Sequence, residues 1–239
     1  VDVAEKADAH IVVDPRMTNL GKEADIWLSL RPGTDGAMAM GWLNIIVNNN
    51  LYDELFAKRW TNGPFLVCND IEPSGYEAFR FTSGTFELKT RLLKQSDVQE
   101  GGDPHKFLVW DNLNNRMTYF DADSGLWEGE TWTPPTKGHE GMQEHLVDGV
   151  SQGWVPDPSP FNPEIDPALT GEFQVTLKDG TVSTVKPVWE YFVERVNEYP
   201  VERVSEITGV SADLIEKACL THATRIDPST GYGNGGIQY

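Results

Sequence analysis

The first sixty residues alternate short apolar runs with segments of helical periodicity. The runs at 10–13 and 26–30 are bounded by polar turns and are typical of strands buried in a parallel sheet. Residues 2–9, 36–49 and 52–60 carry apolar positions at the denser spacing of helices packed on such a sheet. Helix, strand, helix, strand, helix is the order of a parallel α/β domain.

The middle of the chain loses this pattern. From 62 to 186, Gly, Pro, Asp and Asn interrupt short apolar runs, and no long helical period appears. Two hairpins are predicted: one pairs 107–110 with 117–120 across an Asn-rich turn, and the other pairs 172–177 with 181–186 across an Asp-Gly turn. This stretch is therefore predicted to be an irregular, strand-containing insertion.

A proline-rich segment lies inside this insertion. Residues 154–167 contain five prolines, which indicates an extended crossing on the surface.

Helical periodicity returns near the end. It predicts helices over 187–199, 201–208 and 211–224, with Gly209 ending the second and Ser211 capping the third. The pattern as a whole predicts an α/β fold, with a parallel-sheet, dinucleotide-binding-like domain interrupted by the insertion. The predicted boundaries are 1–61 for the parallel segment, 62–186 for the insertion, 187–226 for the helical return and 227–239 for a glycine-rich loop that starts the next domain.

Charge and composition exclude several classes of protein. The formal charge of -18 opposes binding to nucleic acid, and no Lys/Arg cluster offsets it. No apolar run approaches the roughly 20 residues that cross a bilayer. Cys68 and Cys219 are isolated from each other and from any histidine at ligand spacing, so the chain is not expected to hold a metal or cluster alone. No nucleophile, histidine and acid occur in an order that indicates a hydrolase.

Two carboxylates mark a candidate ligand site. Asp14 and Asp35 follow the carboxyl ends of the two predicted strands, where open parallel sheets place their ligand crevice. A carboxylate there can accept hydrogen bonds from a ribose diol or from the ring N–H and amino group of guanine. Both are also common structural choices, before a proline and at a helix start, so the spacing leaves the two interpretations open.

Two further patterns carry less weight. Gly231, Gly233 and Gly236 match the dinucleotide fingerprint, but an NAD site would need a complete strand, glycine turn and helix around Gly231. Four tryptophans of the insertion could line a ligand surface, although packing is the favoured interpretation; they are Trp110, Trp127, Trp132 and Trp154.

Three motifs in order resemble one enzyme family. Val13-Asp-Pro-Arg-Met-Thr18, Ala24-Asp25 and Arg31-Pro-Gly-Thr-Asp35, followed by Leu51-Tyr-Asp53, are similar to molybdopterin oxidoreductases of the dimethyl sulfoxide reductase family. Ile207 to Ile215 with Ala218 resembles a helix pair of that family, and Tyr232 to Gln238 resembles the loop that follows it. The stretch ending at Asp111, the Gly171 hairpin and the Gly-Asn-Gly-Gly ending look most like acetylene hydratase and the catechol dehydroxylases.

The resemblance implies a large catalytic subunit that binds bis(molybdopterin guanine dinucleotide) with Mo or W. It also implies a [4Fe–4S] cluster held by an N-terminal part outside this chain, and an iron–sulfur electron-transfer subunit as partner. The substrate would be a small organic molecule, dehydroxylated if aromatic or else hydrated. The sequence leaves a cytoplasmic and an exported location open.

The same resemblance assigns cofactor-binding residues but no catalytic or metal-ligating residue. The loop around one guanosine end would be formed by Asp14, Pro15, Arg16 and Thr18, the guanine-reading turn by Gly33, Thr34 and Asp35, and the loop near the pterin by Asn234, Gly235 and Gln238. We expect the chain by itself to be inactive. The alternative is a noncatalytic module that binds a nucleotide or a protein partner through its acidic, tryptophan-rich insertion.

Overall fold

The structure is a computed structural model, and it describes residues 9–80, 84–130, 142–147, 150–156 and 164–223. The chain divides into two compact units: unit 1 runs up to Glu54 and resumes at Tyr191, and unit 2 is Leu55–Glu190. The domain boundaries expected at 61, 186 and 226 stay predictions.

Unit 1 is built on a parallel pair of strands. β1 (Ile11–Val13) pairs with β2 (Ile26–Leu28), with Ile11 opposite Ile26 and Val13 opposite Leu28. Its helices are α1 (Asn19–Lys22), α2 (Asp35–Asn48), α6 (Val201–Thr208) and α7 (Ala212–Ala223). Along the sequence, the two divisions between the units fall within α3 (Glu54–Trp60) and α5 (Val188–Val196). The predicted helix over 2–9 lies outside the described residues, apart from its last position.

Helical spacing explains the core of unit 1. Met38 and Ile45 of α2 are two turns apart and both are buried. Gly41 lies between them, and a Cβ built there would come within 2.7 Å of Val204 Cγ2, so α2 and α6 approach closely. β2 and the helices α2, α6 and α7 contribute to the core, and Ile11 of β1 packs against it; its buried residues are Ile26, Leu28, Leu30, Met38, Ile45, Val204, Val210, Ile215, Ala218 and Cys219.

Unit 2 consists mainly of antiparallel strands. One three-stranded sheet consists of β11 (Phe173–Thr176), β12 (Val182–Pro187) and β3 (Leu66–Cys68). A second consists of β6 (Lys106–Asp111), β7 (Arg116–Asp121) and β8 (Leu126–Trp127). Two hairpins are β4 (Ser74–Arg80) with β5 (Gly84–Thr90) and β9 (Met142–Val147) with β10 (Val150–Pro156), and α4 is Gln95–Val98. Both predicted hairpins are confirmed, and the fold combines helices with parallel and antiparallel sheets.

Aromatic packing occupies the interior of unit 2. Trp127 is 2% exposed, and Trp110 stacks on Phe173 with ring centroids 4.6 Å apart. For these two tryptophans the packing interpretation is confirmed. Trp132 lies outside the described residues, and of Trp154 only the backbone, in β10, is described.

The proline-rich segment departs from the prediction at its end. Residues 154–156 belong to β10, and Ile165 and Pro167 are buried rather than on the surface. Asp111 and Asp166 hold the segment in place, because Asp166 N donates to Asp111 Oδ1 at 3.0 Å and Asn112 N donates to Asp166 O at 2.9 Å. The predicted surface crossing is therefore wrong at Ile165 and Pro167, while residues 157–163 lie outside the described residues.

Ser183 occupies an apolar position of β12. Strand alternation turns Ser183 and Val185 to the same buried face, and Ser183 Oγ has no hydrogen-bond partner among the described residues. Ser183→Ala is therefore expected to raise the free energy of unfolding by about 1 kcal/mol, because it removes an unpaired buried hydroxyl. Thermal denaturation of the full-length protein measures this, with the exposed Thr184→Ala as the control; a loss of stability on Ser183→Ala would contradict the prediction.

No helix in the described ranges has both the length and the apolar character that a membrane crossing requires.

Candidate functional site

The loop after β1 is fixed by three hydrogen bonds around Asp14. Its amide donates to Leu28 O at 3.2 Å, its carbonyl accepts Trp27 Nε1 at 2.9 Å, and its Oδ1 accepts the Arg16 amide at 2.7 Å. Pro15 has no amide hydrogen, so the ladder with β2 ends here. The second carboxylate oxygen of Asp14 accepts no hydrogen bond from the described residues and can bind a ligand donor.

Thr18 ends this loop and starts the next helix. Its Oγ1 accepts the Gly21 amide at 3.2 Å, which makes it the N-cap of α1. The hydroxyl proton remains able to donate to a ligand. Arg16, two residues earlier, is exposed.

The segment after β2 is a tight turn. Thr34 N donates to Arg31 O at 3.2 Å, Pro32 and Gly33 are the central residues, and Gly33 has a φ of 83°. This is the arrangement of a type II turn, whose third residue favours glycine. The Thr34 hydroxyl donates to Arg31 O at 2.7 Å instead of capping α2. The first amides of α2 therefore have no side-chain cap from Thr34.

Asp35 begins α2 with an unused carboxylate. The side chain is exposed and makes no hydrogen bond or ion pair within the described part of the chain. A Cβ built at Gly33 or at Gly36 would meet no atom within 4 Å, so the space on this side of the turn is open. A carboxylate at a helix N-terminus lies in the favourable field of the helix dipole.

The register of the two strands places both segments at one edge. Because β1 and β2 are parallel and Val13 is opposite Leu28, the Asp14 loop and the turn at 31–35 both follow the same end of the pair. The predicted residues Asn234, Gly235 and Gln238 lie outside the described residues.

Sequence reasoning missed Trp27 and assigned no role to Arg31. Trp27 alternates with the buried Ile26 and Leu28 on a three-residue strand, and its indole bonds the Asp14 carbonyl. Strand alternation could have predicted that the Trp27 side chain faces away from the core, but only tertiary structure determines its hydrogen-bond partner.

The two cysteines are buried, and the described residues form no metal site. Burial raises the pKa of the Cys219 thiol to about 12, and its sulfur lies 3.5 Å from Trp42 O. Cys68 is also buried and free. Across the described ranges, no group of three or more His, Cys, Asp or Glu side chains could hold a metal ion.

Comparison with known proteins decides the family. No family model matches the chain. Over its whole length the chain is 53% identical to dopamine dehydroxylase of Eggerthella lenta. It belongs to the molybdopterin oxidoreductase family. The family resemblance seen in the motifs is therefore confirmed.

Two other relatives match this molybdopterin oxidoreductase chain over different shares of its length. The alpha subunit of perchlorate reductase from Dechloromonas aromatica is 28% identical over 96% of the chain. Acetylene hydratase of Syntrophotalea acetylenica is 51% identical over 53 residues, which is 22% of the chain. The chain spans about a quarter of the length of dopamine dehydroxylase, 26%, and 22% of the perchlorate reductase subunit.

Proposed function

We propose that this chain is the part of a molybdenum or tungsten catalytic subunit that binds a guanine-nucleotide end of bis(molybdopterin guanine dinucleotide). One observation carries the proposal: the exposed carboxylate of Asp35, which has no partner among the described residues, begins α2 at the same strand edge as the Asp14 loop. In this respect unit 1 is dinucleotide-binding-like, because ligands of parallel sheets bind at the carboxyl ends of the strands.

The chemistry of the turn fits guanine. A carboxylate can accept both the ring N–H and the amino hydrogen of guanine, whereas adenine presents no such pair of donors on that edge. Asp35 has both oxygens available, and the open space beside Gly33 and Gly36 allows a flat base to approach the backbone. The uncapped amides at the start of α2 favour an anionic ligand nearby.

The Asp14 loop fits the ribose and phosphate that accompany the base. The remaining oxygen of Asp14 can accept from a ribose hydroxyl, and the exposed guanidinium of Arg16 can bind a phosphate. Thr18 can donate its hydroxyl proton, and Pro15 ends the strand so that the loop faces the ligand. We extend the proposal to Asn234, Gly235 and Gln238 as residues near the pterin.

The proposed whole enzyme acts on a small organic substrate, and its cofactor supplies the redox chemistry when it is bound. Reductive dehydroxylation of an aromatic ring replaces a hydroxyl by hydrogen, takes up two electrons and two protons and releases water. A [4Fe–4S] cluster and an iron–sulfur partner subunit would deliver the electrons. The similarity to dopamine dehydroxylase over the full chain favours this reaction over hydration.

The test uses the full-length protein expressed in a host that makes the cofactor. Elemental analysis gives Mo, W and Fe, and acid hydrolysis releases GMP for counting. We expect Mo or W with about two GMP per metal, as a cofactor with two nucleotide ends requires. Well-folded protein lacking both metals and GMP would overturn the proposal.

Asp35→Asn tests the guanine contact directly. The amide replaces one acceptor oxygen by a donor, so we expect cofactor release to become about tenfold faster, as the loss of one charge-assisted hydrogen bond predicts. Asp213→Asn is the matched control, because Asp213 is also an exposed acid in the first turn of a helix, α7. Equal release from both variants and the wild type would remove Asp35 from the site.

A further inference from the structure

Arg31 is bound to the end of a helix that lies far away in the sequence. Its amide donates to Thr208 O at 2.8 Å, and its Nη1 donates to Glu206 O at 2.7 Å and to Ile207 O at 3.1 Å. These are the last three carbonyls of α6, which have no partner within the helix. The guanidinium also lies at the negative end of the helix dipole.

Gly209 makes room for this contact. It is the C-cap of α6, with a φ of 79° that favours glycine, and its amide donates to Ser205 O at 2.8 Å. A Cβ built there would lie 3.3 Å from Arg31 Nε and 3.5 Å from Arg31 Cζ. The chain thus turns away from α6 without a side chain that would displace the guanidinium.

The carbonyl of Arg31 closes the candidate turn. Arg31 O accepts both the Thr34 amide and the Thr34 hydroxyl, at 3.2 and 2.7 Å. Arg31 is therefore held at its amide and side chain by α6 and at its carbonyl by the turn that leads into Asp35. Arg31 and Arg16 are both exposed, but the Arg31 guanidinium donates to helix carbonyls, whereas the Arg16 guanidinium makes no hydrogen bond within the described part of the chain.

We propose that Arg31 is a positioning residue: by capping α6 it holds the Gly33–Asp35 turn in the conformation that receives guanine, and it does not itself bind the nucleotide. Gly209 leaves the space that the guanidinium occupies, and we call Arg31 and Gly209 together the clamp. The inference rests on the proposed function, because the turn is a site only if the nucleotide binds there. Residues 206–209 would thereby contribute to cofactor binding, although Glu206 lies 175 residues after Arg31 in the sequence.

The experiment measures the rate of cofactor release from full-length holoenzyme, well below the unfolding temperature. Arg31→Gln is expected to release the cofactor about fivefold faster, because the helix carbonyls lose a cationic donor and the turn is less restrained. Arg31→Lys keeps the charge but loses the forked guanidinium donor, so its release rate should lie between those of the wild type and Arg31→Gln. Hydrogen exchange of the amides at 33–35 and 206–209 should accelerate together in Arg31→Gln.

Gly209→Ala separates positioning from direct contact. It leaves every proposed nucleotide ligand intact and crowds only Arg31, so faster release is expected if the clamp positions the turn. Gly180→Ala is the matched control, because Gly180 has a φ of 88° in a hairpin of unit 2 and its Cβ would meet nothing within 4 Å. It imposes a comparable backbone strain elsewhere.

The outcomes distinguish the two proposals. Faster release from Gly209→Ala and Arg31→Gln, with Gly180→Ala unchanged, supports the clamp. Faster release from Arg31→Gln alone, fading at high salt, would assign Arg31 to a phosphate and overturn the clamp. Faster release from Asp35→Asn with both clamp variants unchanged would overturn the clamp and leave the proposed function standing. If Asp35→Asn also matches the wild type, the guanine contact itself fails.

Discussion

Asp111→Ala is expected to lower the local stability of the β6–β7 hairpin by about 3 kcal/mol, because it leaves buried donors without an acceptor. The carboxylate is 0% exposed. Its Oδ1 accepts the amides of Leu113 and Asp166, both at 3.0 Å, and its Oδ2 accepts Asn114 Nδ2 at 2.6 Å. One side chain thus organises the turn after β6 and binds it to the segment at 164–168.

Native-state hydrogen exchange of the full-length protein measures this effect. Protection of the β6 and β7 amides should fall about 100-fold in Asp111→Ala, the factor that corresponds to the expected loss. Asp111→Asn keeps the shape and one oxygen that can accept the amides of Leu113 and Asp166, although its own amide would face Asn114 Nδ2, which also donates to Glu164 O at 2.6 Å; a smaller loss is therefore expected. An equal loss in both variants would show that the charge, rather than the set of acceptors, stabilises the turn.

The pH dependence of this site has a defined sign. Burial by itself raises the pKa of Asp111, but hydrogen bonds from Asp166, Asn114 and Leu113 hold it below its ordinary value. The folded pKa therefore lies below the unfolded one. The stabilisation is fully present above the unfolded pKa and is lost as the pH falls through the folded pKa. Protection of the hairpin should drop in acid for the wild type and change less for Asp111→Asn.

Gly41→Ala should lower the stability of unit 1 by about 2 kcal/mol, although alanine is the better helix former. A Cβ at this position would be 2.7 Å from Val204 Cγ2 and 3.0 Å from Val204 Cγ1, and Val204 is 0% exposed. Since the valine has no space to move into, α2 and α6 must separate. Denaturant unfolding of the full-length protein, followed by exchange of the α2 amides, measures the loss.

A second substitution identifies the cause of that loss. Val204→Ala alone should destabilise unit 1, because it removes buried methyl groups. Combined with Gly41→Ala it should cost less than the sum of the two, since the new methyl fills the space that the valine leaves. Additive losses would mean that Gly41 matters for a reason other than its contact with Val204. Gly36→Ala, in the same helix, is the control, because its Cβ would meet nothing within 4 Å.

Local chemistry determined much of unit 1. Periodicity predicted β1, β2 and every long helix to within a few residues, because an apolar spacing of two or 3.6 residues is visible in any short window. The stops were equally local: Pro15 cannot donate to a ladder, Thr18 caps α1, and Gly209 takes the left-handed conformation that ends α6. The motifs around Asp14 and Asp35 also sufficed to indicate the family.

Tertiary structure decided what those elements touch. No pattern indicated that Arg31 would cap a helix 175 residues away, that Trp27 would bond the Asp14 carbonyl, or that Ile165, Ala168 and Leu169 would be buried. Each is a contact between segments whose own sequences allow several partners. The sequence determined where strands, helices and turns begin and end, because those preferences are local; only the fold determined which carboxylates are satisfied, as at Asp111, and which remain open, as at Asp35.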